Sequence, residues 1–312
     1  MPTSPREVDK VEITCLVDNT VDILLPTTDV ARRPKTDHWF ERPLVAEHGF
    51  SSVVTVEVDG RRRSLLFDSG LDPFAVVHNV EALDFDLSQC EVVVSSHGHT
   101  DHSGGLLNVK RKLPVGEMPL VLHPFAFRNR MVKFKDGRIL PIPAPDRALL
   151  ADAGYEVVES SDPSLQLDDR ILVTGEIPRT NDFEKGFPNH FAEVDERMEN
   201  DPLIQDDQAL VLDVKDKGLV VLTGCGHSGI INTIKYAKEL TGQDTIYAVM
   251  GGMHLSGGIF EPIIPRTVEE LRTLKPRFLV PCHCTGLKAV NEIMRTSPEA
   301  FVQNSVGTTY MF

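Results

Sequence analysis

Residues 95–105 read SSHGHTDHSGG, which sets His97, His99, Asp101 and His102 within six consecutive positions. Histidine is only intermittently buried, and aspartate almost never unless paired. Such crowding marks either a solvated loop or a binding site, and the surroundings favour a site. EVVVSS (91–96) is short and nearly all apolar, the pattern of a strand covered on both faces. The Ser-Gly-Gly that closes the stretch reads as a turn into the next helix. The cluster therefore follows the end of a buried strand, where sheets covered by helices usually carry their active groups.

Upstream, VEITCLVD (11–18), SVVTVEVDG (52–60) and RSLLFD (63–68) read as strands, the last two joined by a turn at Asp59-Gly60. A polar, proline-containing loop occupies residues 19–50, and Pro73–Leu83 reads as a helix. Downstream, PLVLH (119–123) is a strand, after which residues 124–206 become rich in Pro, Asp and charge. This segment is expected to be an insertion or lid within a single domain spanning 1–312, with strands only at YEVVES and ILVTGEI. Regularity returns with QALVLDVKDKGLVVLTGCGH, two strands flanking a turn at Lys215-Asp216-Lys217-Gly218. Then come a helix over Gly229–Leu240, a strand at 245–252, a helix near Thr267–Leu274, a strand at 278–284, a helix over Leu287–Arg295 and a final strand toward Tyr310. His227, His254 and His283 each follow an apolar strand, as His97 does. One such histidine carries little weight; four at equivalent positions predict convergence on one point.

The chain has 312 residues, of which 46 are acidic and 32 basic, for a net charge of −14. That balance argues against a nucleic-acid or anionic-membrane surface, which needs clustered Lys and Arg. Arg61-Arg62-Arg63 is the one basic run and reads as a solvated turn. No apolar run reaches the length of a membrane span, and MPTSPREVDKVEITC lacks the apolar core of a secretory signal. Five cysteines are too few, and odd in number, for a disulfide scaffold, so a cytoplasmic location is expected.

Neutral imidazole and carboxylate bind divalent Zn, Fe and Mn at neutral pH. In an extended segment His97 and His99 project the same way and can hold one ion, while Asp101 and His102 reach a second. Two ions about 3.5–4 Å apart lower the pKa of a shared water and clamp entering and leaving oxygens. Small residues alongside (Gly98, Gly104, Gly105, Gly224, Gly226, Gly251 and Gly252) let the backbone pass close to such ions.

HGHTDH at 97–102 has the form His-x-His-x-Asp-His and resembles the signature of the metallo-β-lactamase fold superfamily. FDSG (67–70) resembles the aspartate that supports the metal loop, and PCHCTG (281–286) the final ligand histidine. The resemblance implies an α/β fold, an αββα sandwich of two mixed β-sheets faced by helices, with metals at one sheet edge. LVDNT (16–20), AEHGFS (46–51), LTGCGHSGIINT (222–233) and GGMHL (251–255) further resemble a branch named for 7,8-dihydropterin-6-yl-methyl-4-(β-D-ribofuranosyl)aminobenzene 5′-phosphate synthase.

The chain departs from that pattern in two places. The superfamily's bridging aspartate follows a strand-end glycine, and here Gly224 is followed by Cys225. A thiolate there either bridges or leaves the two sites unequal. The usual third histidine of the first site falls at Glu176; ligand preference favours His227 in its place. The expected metal set is thus His97, His99, Asp101, His102, His227 and His283, for two divalent ions, zinc first with Mn or Fe as alternatives. Cys225, Glu176 and Asp68 are further candidates as ligands or supports. Asp101 and His254 are candidate catalytic acid–base groups. Cys282 and Cys284, flanking His283 on an extended strand, should point away from it into the core. His48 reads equally as a catalytic group or a turn cap. His38, His78, His123 and His190 have no context beyond structural roles.

The segment HPFAFRNRMVKFKDG makes Arg128 and Arg130 candidate phosphate contacts, with Arg179 a third. Trp39, Phe40, Phe125 and Phe127 are the aromatics placed to wall a pocket. The first functional expectation is a metal-dependent hydrolase using a metal-bound hydroxide on a phosphoester or related small molecule. The alternatives are a dihydropterin-type transferase forming a C–C or C–N bond, with a phosphorylated or pterin-like substrate, and a non-catalytic metal-holding sensor. Partners are expected to be small molecules rather than nucleic acid or membrane, with a homodimer left open.

Overall fold

A computed structural model describes residues 4–35 and 37–312. Two mixed sheets face each other. The first orders its eight strands Ala31–Arg32, Thr309–Met311, Lys10–Val17, Ser51–Val58, Arg61–Phe67, Cys90–Val94, Met118–Leu122 and Tyr155–Glu159. The second orders six: Ser164–Gln166, Ile171–Val173, Ala209–Val214, Gly218–Thr223, Ile246–Gly252 and Phe278–Cys282.

Alternation along the strands places Ile13, Val54, Leu65, Phe67, Leu210, Leu212, Val220 and Met250 in one apolar cluster between the sheets. The opposite faces are also apolar, so both sheets need covering outside. Helix Ala75–Ala82 lies over the first sheet through Val76 and Val80. Helices Ile230–Thr241, Ile264–Leu274 and Gly286–Thr296 lie over the second through Ile234, Val268, Leu271 and Ile293. These layers are the expected αββα sandwich.

The expected turns form where predicted. Asp59 (φ 50°) and Gly60 (φ 74°) both adopt the left-handed conformation that a two-residue hairpin between twisted strands requires. The parallel pairings of Arg61–Phe67 with Cys90–Val94, of Gly218–Thr223 with Ile246–Gly252, and of Ile246–Gly252 with Phe278–Cys282 align the carboxyl ends of these strands at one edge. Every histidine in the strand-end series leaves from that edge.

The segment 124–206 differs from the single insertion expected. YEVVES and ILVTGEI are strands of the two main sheets, where Tyr155–Glu159 runs parallel to Met118–Leu122 and Ile171–Val173 antiparallel to Ala209–Val214. The excursions on either side meet in a third, four-stranded sheet ordered Arg197–Asn200, His190–Val194, Arg130–Lys133 and Ile139–Ile142. Its strands escape sequence reading because the outer ones are solvated: all four side chains of Arg197–Asn200 are exposed, so no alternation marks them. No helix among the described residues is long and apolar enough to cross a membrane.

Candidate metal centre

His97, His99 and His227 bring one ring nitrogen each within 4.8 Å of one another. Cys225 Sγ groups in the same way with His97 and His102, with His227 and His254, and with His283 and Cys284. Asp101 joins His283 and His48. One bank of ligand atoms thus runs from His99 to His48, with Cys225 at its middle.

Each part of the bank is held from below. Asp68, in the left-handed region at φ 59°, is fully buried. Its Oδ1 accepts from Ser96 N at 2.6 Å, and its Oδ2 accepts from Ser96 Oγ at 2.8 Å and His102 Nδ1 at 2.7 Å. With Nδ1 committed, His102 presents Nε2, which lies 3.2 Å from His283 Nε2. His283 is carried by LVDNT: Asp18 Oδ1 accepts its backbone N–H at 2.6 Å, and Asn19 Nδ2 donates to its carbonyl at 2.9 Å. Glu47 of AEHGFS accepts from Leu71 N and Asp72 N, both at 2.8 Å, which ties that loop to the one that follows Asp68.

A second set of struts comes from QDDQ (205–208), where the polar excursion returns to a buried strand. Asp206 Oδ2 accepts from Gly98 N, and Asp207 Oδ2 from Ser228 N, both at 2.8 Å. Gln208 Nε2 donates to Ser95 O at 2.8 Å. Burial raises the Asp207 carboxyl to about 6. The clue to these residues was the pair of carboxylates directly before a buried strand, where solvation is not available.

The electrostatics divide the bank. Burial pulls His97, His99 and His227 well below the ordinary imidazole range; neighbouring imidazoles add to it at all three, and Arg130 at His97 and His99. Burial also opposes charge on His102, but Asp68 and Asp101 override it and push that group up to about 9. Asp101 resists burial likewise: His102 and His283 hold it well below the usual carboxylate range. Burial raises the Cys225 thiol. Cys284, under the same burial penalty, is drawn down by Cys225, His283 and His254.

His97 Nε2 and both ring nitrogens of His227 are buried with no hydrogen-bond partner. Leaving such groups unpaired costs about 1–3 kcal/mol each, and a cation at their centre removes that cost. Imidazole, carboxylate and thiolate donors at these separations fit one or two divalent metal ions.

The remaining candidates fall in different places. Glu176 is exposed and accepts from Gln205 Nε2 at 2.8 Å, apart from the ligand bank. His254, at φ 44°, has Nδ1 3.3 Å from Cys225 Sγ. His48 is exposed, with Nε2 3.8 Å from Asp101 Oδ2. Arg130 is buried beneath Gly98, where Nη2 donates to Phe125 O at 2.7 Å and lies 2.7 Å from Asp206 Oδ1 in an ion pair off the hydrogen-bond direction. It braces the metal loop and does not face a pocket. Arg128 lies over the Phe125 ring, and Arg179 donates to the carbonyls of Leu203 and His227. None of the three lines the cavity beside the ligand bank.

Two expectations about cysteine and histidine are corrected. Cys282 does enter the core between the sheets, but Cys284 does not point away from the site. The strand ends at Cys282, and His283 turns into the left-handed region at φ 47°, which breaks the alternation. Cys284 Sγ thereby comes to 3.0 Å from Cys225 Sγ. His190, given only a structural role from sequence, is fully buried with Nε2 3.0 Å from His99 Nε2.

A cavity of about 820 Å3 opens over His48, His254, His283 and Cys284. Its aromatic walls are Phe134, Phe187 and Phe260, and its cations are Lys135 and Arg138. Trp39 lines a different cavity, and Phe40 is 96% exposed. Phe127 packs against the core of the first sheet and Phe125 against His123.

The chain is 29% identical to the 7,8-dihydropterin-6-methyl-4-(beta-D-ribofuranosyl)-aminobenzene-5′-phosphate synthase of Methanocaldococcus jannaschii over 88% of its length and 92% of the relative's. It is 30% identical to an uncharacterized protein of the same organism, over 87% and 96%. Among solved structures, a metal-dependent hydrolase of the beta-lactamase superfamily superposes with a TM-score of 0.71 at 25% identity, covering 96% of this chain and 98% of that one. A diphosphatase of the PhnP family shares the fold at a TM-score of 0.51 and 13% identity, over 97% and 98%. The profile of the Metallo-beta-lactamase superfamily matches residues 47–283, and the chain belongs to that superfamily.

Proposed function

We propose that the chain is a dinuclear metal-dependent hydrolase acting on a phosphoester or related small molecule. The observation that carries this reading is the continuous bank of ligand atoms, mostly buried and joined through Cys225, whose His283 and Cys284 end opens into the 820 Å3 cavity. His97, His99 and His227 are assigned to the first ion and Asp101, His102 and His283 to the second, with Cys225 between them. Cysteine among imidazoles favours zinc, ahead of Mn or Fe. Ions held by these residues would supply Lewis acidity, lowering the pKa of water and neutralising charge on the entering and leaving oxygens.

The chain's own groups do the rest. Asp68 fixes His102 in the tautomer that presents Nε2. His48, which lines the cavity with Nε2 3.8 Å from Asp101 Oδ2, is a general acid–base group available to the substrate there. His254 lines the cavity beside Cys225 and is the acid available to a leaving group there. Lys135 and Arg138 offer the substrate's anionic group a partner at the rim.

A second reading, bond formation to a pterin-like ring, is favoured by the walls Phe134, Phe187 and Phe260 and by the synthase relative. Elemental analysis combined with hydrolysis of bis(p-nitrophenyl) phosphate, for the protein and for His99→Ala, separates these readings. About two equivalents of metal, with turnover lost in the variant, is the outcome for the hydrolase. Tight metal without turnover on esters, lactones or thioesters shifts the assignment to the transferase or to a metal-holding sensor. Less than one equivalent, unchanged by the substitution, removes the ligand assignment.

A further inference from the structure

We infer that His190, from the third sheet, is a positioning residue for the metal centre: it fixes the tautomer of His99 and so makes the docking of that sheet a condition of tight metal binding. The inference rests on the assignment of His99 to the first ion, and it adds a residue and an element that the signature motif does not contain.

Three contacts carry it. His190 is fully buried, on the strand His190–Val194, opposite Val132 of the neighbouring strand. Its Nδ1 donates to the Asp201 backbone carbonyl at 2.7 Å. A carbonyl only accepts, so Nδ1 must bear the hydrogen and a neutral His190 has its lone pair on Nε2. That Nε2 lies 3.0 Å from His99 Nε2. Two lone pairs facing each other at that distance would repel, so one hydrogen lies between the rings, and a neutral His190 whose Nδ1–H is already donated can only accept it. The arrangement is satisfied when His99 Nε2–H donates to His190 Nε2. His99 is then left with Nδ1 as its one free lone pair, and its ring stands 4.5 Å from that of His97 and 4.9 Å from that of His227, centroid to centroid.

The relay runs from the Asp201 carbonyl through His190 to His99. It parallels the Asp68–His102 contact on the other side of the bank, with a second imidazole interposed and with the Asp201 carboxylate 3.6 Å from His190 Nδ1 beside the accepting carbonyl. Partners of this kind typically contribute 10–100-fold to metal affinity by holding the ligand's tautomer and ring orientation. Asp201 and His190 lie on the later excursion, which is joined to the earlier one by the pairing of His190–Val194 with Arg130–Lys133. A residue 91 positions from His99 thereby controls which of its nitrogens is free.

The test uses His190→Leu, which fills the space without an acceptor, and His190→Gln, whose Oε1 can still accept. Metal-free protein is titrated with Zn2+ against a competing chelator, and the histidine tautomers of the metal-free proteins are read by long-range 1H–15N NMR. The wild type should show His99 as the Nε2–H tautomer. In His190→Leu that preference should be lost, with one of two equivalents bound about 10–100-fold more weakly, while His190→Gln recovers much of both. Unchanged affinity and tautomer in His190→Leu would overturn the inference. So would outright loss of one equivalent in both variants, since that makes His190 a ligand rather than a positioning group. If the wild type binds no Zn2+, the metal assignment fails, while the tautomer of His99 still decides whether the relay exists.

Discussion

His97, His99 and His227 meet in the interior as nearly bare imidazoles, with three of their ring nitrogens unpartnered. Asp101, His102 and His283, a few ångströms away, sit among carboxylates and hydrogen-bonded backbone. The first group waits as neutral lone pairs, and the second is organised by charge before any ion arrives. The contrast follows from the sheets. The second group leans on Asp68 and Asp18, at the ends of two strands of the eight-stranded sheet. The first spans the gap between the sheets and draws its bracing from Asp206, Asp207 and His190, on the excursions and their return. Two ions bound at such unlike places should differ in affinity, and each group should fail in its own way.

The sharpest break concerns the third ligand of the first group. His227→Ala should remove one equivalent of metal and lower turnover by more than about 100-fold, since even indirect supports of a ligand contribute 10–100-fold. Glu176→Ala should change neither, because that carboxylate is exposed and bonded to Gln205. Metal content and steady-state rates for the two variants decide between them, and a loss in Glu176→Ala alone would reverse the assignment.

The bracing is tested next. Asp206→Ala strips the buried Arg130 guanidinium of its carboxylate and Gly98 N of its acceptor. Breaking a buried pair from one side costs about 3–5 kcal/mol, so denaturant unfolding of the metal-free variant should show a loss of that size. A change below about 1 kcal/mol would mean that the loop stands without this strut.

How much of this was open to sequence follows the same division. The strand-end histidines were legible because a buried apolar strand announces its own end and ligand residues stand out against it. Asp68 was legible from its place in FDSG. His190, Asp206, Asp207 and Cys284 were not. The first three depend on where a polar excursion returns, and its outer strand, Arg197–Asn200, lacks alternation because it is solvated. Cys284 depends on a single left-handed residue at His283, which reverses the expected face. Arg130, a candidate phosphate contact from sequence, misled for a related reason: its side chain turns inward to Phe125 O and Asp206. The walls of the cavity come from residues as far apart as Phe134 and Phe260, which no local pattern connects.

The electrostatic contrast predicts opposite pH responses in metal-free protein. His102 is raised from 6.5 to about 9, so its contribution is fully present below pH 6.5 and is lost as pH rises through 9. His97, His99 and His227 are depressed, so theirs is present above pH 6.5 and is lost as pH falls below it. Thermal melts of metal-free protein should therefore peak near neutrality and decline on both sides. Asp68→Asn removes the strongest charge raising His102, so the alkaline decline, on the order of 3 kcal/mol, should shrink while the acid side stays. An alkaline limb unchanged by this substitution would separate Asp68 from His102.

The smallest effect is expected at the cavity wall, and it bears on which substrate the two groups serve. Phe260 lies edge-on to His254 at 4.4 Å and to Phe187 at 5.2 Å, centroid to centroid. Aromatic contacts of this kind are worth about 0.5–1.5 kcal/mol beyond the area they bury, which is roughly two- to twelvefold in affinity. Phe260→Ala should accordingly raise KM for an aromatic ester by up to about tenfold, leave kcat near its original value and leave metal content intact. An aliphatic ester of the same charge should show little change, because it has no ring to place against the wall. Equal losses on both esters would make Phe260 a prop for His254, since a displaced His254 harms either substrate. A loss confined to kcat would point the same way, because the wall would then act on the reacting groups and not on binding.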